Sequence, residues 1–97
     1  MTPILKTWPG PFAEILAGTK TYEIRKQDRD FKVGDVLNLL EFVPPAPGMV
    51  GGFTGRGTER RITYMTPGGE WGLPAGLCVL ALASPPAPAE GEREVGG

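Results

Sequence analysis

Lys20, Glu23 and Arg25 stand close together in the run Gly18-Thr19-Lys20-Thr21-Tyr22-Glu23-Ile24-Arg25. An ammonium, a carboxylate and a guanidinium at this spacing can hold one polar ligand. The cations attract phosphate or a base carbonyl, and the carboxylate accepts from an exocyclic amine. On an extended strand, residues 23 and 25 share a face, so the ordinary alternative is a surface ion pair contributing less than about 1 kcal/mol. A carboxylate among phosphate-attracting cations opposes indiscriminate polyanion binding, which favours a defined ligand over generic RNA. Lys26, Arg29 and Lys32 continue the basic run, interrupted by Asp28 and Asp30 as a solvated loop would be. Trp8 and Tyr22 are candidate stacking surfaces for a base. Trp8 would line a cleft beside the first helix, whereas the alternation of Tyr22 with Ile24 assigns Tyr22 to the core.

The composition narrows the chemistry further. There is no histidine, which removes every nucleophilic device built on an imidazole base. One cysteine and no histidine cannot supply the usual ligands of zinc, so no metal and no other cofactor is expected. Cys78 lies in the apolar run of residues 76–82, where it reads as a packed core residue, and alone it gives no sign of an oxidising compartment. No stretch is apolar enough for a membrane span and the start carries no secretory pattern, so a cytoplasmic protein with no membrane partner is expected. The net charge is −1. Setting aside residues 85–97, with three glutamates and one arginine, turns it into +1. The body is thus near neutral with one local basic cluster, suited to attracting a phosphate without strong nonspecific binding.

The elements that position these residues follow from pattern. Residues 4–8 read as a first strand, ended by Pro9-Gly10-Pro11, where Pro11 can open a helix because its missing N–H costs nothing there. Phe12, Ile15 and Leu16 form the apolar face of a short helix, and Gly18 suits the left-handed position that ends it. Residues 19–26 read as a strand with Tyr22 and Ile24 on one face and Thr21, Glu23 and Arg25 on the other. Residues 35–43 form a central strand and 44–52 a Pro/Gly loop. Residues 56–66 form a strand with Ile62 and Tyr64 on one side and Arg61, Thr63 and Met65 on the other. Of Arg60 and Arg61, one must face solvent. Residues 77–83 form the last strand. The expected fold is mainly β with one short N-terminal helix: a small barrel of about five strands over residues 1–84, closed or nearly so, with a disordered Pro/Gly/Glu-rich tail over 85–97.

The run from Gly18 to Arg25 resembles the signature of the ASCH family, Gly-x-Lys-x-x-Glu-x-Arg. The continuation Arg25-Lys26-Gln27-Asp28-Arg29-Asp30-Phe31-Lys32-Val33-Gly34-Asp35 looks like a bacterial and phage branch of ASCH-like proteins of the DUF3850 type, as do Thr54-Gly55-Arg56 and Ile62-Thr63-Tyr64. The resemblance covers residues 4–83. It implies a PUA-like β-barrel whose signature residues point into a cleft beside the first helix, and a partner that is RNA or a nucleoside or nucleotide. The expected ligand-binding residues are Trp8, Lys20, Glu23, Arg25, Lys26 and Arg29, in a protein expected to be monomeric. Some small ASCH proteins act as amidohydrolases on N4-acylated cytidine through the signature lysine, a threonine and a distant glutamate. The alternative reading is therefore a small amidohydrolase acting on N4-acylated cytidine or a related modified nucleoside, with Lys20 and Glu23 as its catalytic residues. Lys20 matches the lysine, but Glu23 occupies the threonine position and only Glu70 stands near the place of the glutamate. A third reading is a domain that binds a protein.

Overall fold

The computed structural model describes residues 2–83; the expected tail lies outside the described residues. The elements are β1 (Ile4–Thr7), α1 (Pro9–Ala17), β2 (Tyr22–Lys26), β3 (Val36–Val43), β4 (Gly52–Thr66) and β5 (Leu77–Leu82). The fold is mainly β with one short helix. The five strands form one mixed sheet in the order β1-β3-β4-β5-β2. β1 runs parallel to β3 and the remaining pairs are antiparallel.

Strict alternation builds the core. Leu37 and Leu39 of β3 and Cys78, Leu80 and Leu82 of β5 face inward with Ile62 of β4, and Leu5, Ile15 and Phe31 close over them. Each such side chain contributes roughly 1.5–3 kcal/mol by leaving water. Cys78 is fully buried as expected; burial pushes its thiol up, and Asp28 adds to the effect.

The expected barrel does not close. β1 and β2 are the sheet's two edges, and no backbone ladder joins them. The sheet curls until these edges lie within an arginine's reach, and side chains bridge the seam instead. Both edge strands are short, which limits the unpaired backbone they present.

The helix carries prolines at both Pro9 and Pro11 in its first turn and has no side-chain cap at Trp8. Gly18 ends it at φ 84, donating to the Ile15 carbonyl at 3.1 Å. A nine-residue helix cannot persist on propensity and depends on its buried face. That face is narrower than expected: Phe12 and Ile15 are buried, but Leu16 is exposed. Arg60 is the inward arginine and Arg61 the exposed one. Buried Arg60 reaches across to the helix end, donating to the Ile15 carbonyl at 3.2 Å, to Thr58 Oγ1 at 2.6 Å and to the Glu59 carbonyl at 2.7 Å. Its charge is met by carbonyls and the negative end of the helix rather than by a carboxylate, and burial lowers its pKa.

Two further expectations about faces are corrected. Tyr22 and Ile24 are not core: they lie on the outer face, and Glu23 turns inward. Cross-strand register decides this, because Glu23 pairs with inward Leu80 and Arg25 with inward Cys78, while Tyr22 and Ile24 pair with Ala81 and Val79. On β4, Ile62 and Tyr64 do not share a side. The pairing jumps from Ile62↔Leu82 to Tyr64↔Ala81, a bulge that keeps Ile62 buried and turns Tyr64 out.

Candidate functional site

The turn after α1 places Lys20. Its own amide and that of Thr19 both donate to the Glu14 carbonyl, at 3.1 and 3.0 Å, so the chain leaves the helix in a fixed direction and enters β2 two residues later. The Lys20 ammonium folds back over β2, donating to the Tyr22 carbonyl at 2.6 Å and to Glu23 Oε2 at 2.9 Å, and lies 4.4 Å from the Tyr22 ring centre.

Glu23 is the hub, with 4% of its surface exposed. Its second oxygen, Oε1, accepts from Arg25 Nε at 2.9 Å and lies 2.8 Å from Arg25 Nη2. One buried carboxylate is therefore shared by two partly exposed cations, leaving the triad with one net positive charge. Arg25 Nη2 also donates across the seam to the Lys6 carbonyl at 2.8 Å and to Thr7 Oγ1 at 3.4 Å. Among the described residues, Arg25 Nη1 has no protein acceptor, and Lys20 Nζ has two acceptors for its three protons.

These groups share a cleft of about 330 Å³ whose walls include Trp8, Pro11, Lys20, Tyr22, Glu23 and Arg25. Trp8 stands at its rim with 58% of its surface exposed. The helix start adds little for an anion, since prolines remove two of the amide donors a first turn would offer. Lys6 also lines the cleft, but its carbonyl is taken by Arg25 and its ammonium lies 4.5 Å from the Phe42 ring centre, so Lys20 and Arg25 are the two cations set to meet a negative group here.

Of the residues expected to bind, Trp8, Lys20, Glu23 and Arg25 come together. Lys26 and Arg29 border a second hollow of about 350 Å³, with Leu5, Asp28, Phe31 and Leu77. Ile24 and Arg25 line both hollows, so Arg25 is the partition between them. Arg29 crosses the same seam, donating to the Ile4 carbonyl at 3.1 Å. Lys32 pairs with Asp30 in exposed loop, and Asp30 raises its pKa. Glu70 lines a different hollow, beside Trp71 and Pro74, and does not border the Lys20 cleft.

Sequence reasoning missed Thr7 and Glu41. Thr7 is buried and meets Arg25; its alternation with Leu5 on β1 was the available signal. Glu41, opposite Thr7 in register, is a second buried carboxylate, accepting from Thr54 Oγ1 at 2.7 Å and paired with Arg56 Nε at 3.2 Å. Among the described residues, no helix is long and apolar enough to cross a membrane.

The chain is 43% identical over 60 residues to the "Uncharacterized 12.9 kDa protein in GpA 3'region" of Escherichia phage P2, a match covering 62% of this chain and 50% of that protein. The chain thus aligns with about half the length of that relative. The model of the family described as "Domain of unknown function (DUF3850)" matches residues 2–82, nearly everything the structure describes. The chain belongs to the DUF3850 family.

Proposed function

We propose that the cleft between α1 and β2 binds a nucleotide unit, either of RNA or of a free nucleotide-like ligand. One observation carries the reading: two exposed aromatic side chains, Trp8 and Tyr22, share a single cleft with two cations and a buried carboxylate. Aromatic faces take a base by stacking, and the ammonium and guanidinium take a phosphate or base edge. The open Nη1 of Arg25 and the remaining Lys20 proton are the donors available to it.

The buried triad supports the same reading. Ion pairs out of water give little net stability, and apolar residues of similar size would close a sheet edge as well. Glu23 neutralises half of the local positive charge, which suppresses binding of arbitrary polyanions and leaves recognition to donor and acceptor placement. The resemblance of residues 18–25 to the ASCH signature agrees with this proposal.

The test is titration of the purified chain with RNA, single-stranded DNA and a panel of nucleosides and nucleotides at several salt concentrations. A Trp71→Phe background leaves Trp8 as the tryptophan reporter. Lys20→Ala and Arg25→Lys should each weaken binding about tenfold while the thermal transition stays cooperative. Absence of salt-dependent affinity for every member of the panel overturns the reading.

A further inference from the structure

We propose that the outer face of the β4–β5–β2 sheet, built on the cross-strand row Tyr22–Ala81–Tyr64, carries a single-stranded nucleic acid onward from the cleft. The inference rests on the cleft being a nucleotide site and extends it from one nucleotide to a strand.

Register makes the row. Tyr22 on β2 and Tyr64 on β4 both pair with Ala81 on the intervening β5, and the next row is Ile24, Val79 and Thr66. Cross-strand partners share a face, so both tyrosines rise from the same outer surface. They are 44% and 67% exposed, and Ile24 beside them is exposed too. Adjacent strands lie about 4.8 Å apart, so the two rings are rooted roughly 9–10 Å apart. The small Ala81 stands between the two strands' rings, with Thr63 Oγ1 donating to its carbonyl at 3.3 Å. Lys20 covers one face of the Tyr22 ring and leaves the other for a base.

The bulge on β4 is what makes the pair. Without the jump between Ile62 and Tyr64, Tyr64 would follow Ile62 inward, and β2 would present a lone ring.

Charge and continuity select a nucleic acid over a protein partner. Tyr22 lines the cleft and begins the row, so the two surfaces are joined by one residue. Lys20 lies over the Tyr22 ring, Lys26 shares the outer face by alternation with Ile24, and exposed Arg61 stands on the same strand as Tyr64. At the far end, Trp71 is 92% exposed and holds φ 54, a backbone angle that bulky residues rarely adopt. It shares a hollow of about 390 Å³ with Thr66 and Val79 of the second row and with Glu70. The Glu70 carboxylate favours a base rather than a phosphate at that end.

The experiment compares the intact chain's affinity for uridine monophosphate with that for oligouridylates of increasing length and for their deoxy counterparts. Affinity should rise about tenfold or more between the mononucleotide and an eight-nucleotide strand, as expected for one or two additional stacked bases. Tyr64→Ala should abolish most of that gain and leave mononucleotide affinity within about twofold. Tyr64→Phe, which keeps the ring, should retain the gain and shows that the fold tolerates change at this position. Ribose and deoxyribose strands both uphold the proposal, their ratio reporting contact with the 2′-hydroxyl. If the mononucleotide binds and lengthening adds nothing, the inference is overturned and the cleft reading survives. If no nucleotide binds at any length, the cleft reading fails and takes this one with it. A change in sedimentation of the free protein on Tyr64→Ala, with no effect on strand affinity, would assign the face to a second copy of the chain and overturn the proposal.

Discussion

The Arg25 guanidinium, on one edge strand, donates to the backbone carbonyl of Lys6, on the other, at 2.8 Å. The donor and acceptor meet because carbonyls alternate along a strand. The Pro3 carbonyl accepts from Asn38 of β3, so those of Ile4 and Lys6 point outward from the sheet's edge. They have no strand partner there, and Arg29 and Arg25 donate to them. Arg25 therefore joins the seam and the cleft, and several consequences are measurable.

Replacing Arg25 with lysine should separate its two roles. A lysine keeps the positive charge beside Glu23 but loses the planar set of donors that serves Glu23, Thr7 and Lys6 together. Stability should fall by about 1–2 kcal/mol in denaturant titration, with faster hydrogen exchange in β1 than in β3. Unchanged exchange in β1 would refute the seam.

Glu23→Gln should act in opposite directions on stability and on binding. Losing a buried, doubly paired carboxylate should cost about 1–3 kcal/mol. Freed from their counterion, Lys20 and Arg25 should bind generic polyanions more tightly, and affinity for duplex and single-stranded competitors should become alike. A filter-binding competition reads this; retained discrimination would show that Glu23 is only structural.

Arg60 offers a test of a buried charge without a carboxylate. Arg60→Met keeps most of the volume, and the Ile15 carbonyl keeps the Gly18 N–H as a donor. The variant should stay within about 1 kcal/mol of the parent, while Arg60→Ala, which opens a cavity, should cost about 2 kcal/mol or more. Equal losses in the two variants would contradict the account.

Cys78 gives a pH dependence. Its folded pKa is raised by burial, so the native state keeps the proton at pH values where the unfolded chain releases it. The corresponding stability is fully present below the unfolded thiol value, about 8.5, and declines as pH rises through the folded one. Thermal melts from pH 7 to pH 10 should show this decline in the parent, and Cys78→Val should reduce it. Alkylation of the native thiol should proceed only as fast as the protein opens.

The sequence made the element order and the core legible because apolar alternation in β3 and β5 matches their burial directly. It also brought out the Lys20–Glu23–Arg25 cluster, since residues two apart on a strand share a face wherever that strand lies. Which face looked inward was not legible. Tyr22 and Ile24 outrank Glu23 and Arg25 in hydrophobicity, and only the pairing of β2 with β5 reverses that order. The Ile62–Tyr64 bulge was hidden for the same reason, being a property of two strands rather than one. The seam was hidden because it depends on carbonyl direction, which side-chain pattern does not encode.

The cleft itself is tested most directly by amide chemical-shift mapping during titration with nucleoside monophosphates. Binding at the site should move the resonances of Thr7, Trp8 and Phe12 together with those of residues 20–25, in a manner lost in Lys20→Ala. Shifts confined to other surfaces, or none at millimolar ligand, would contradict the account.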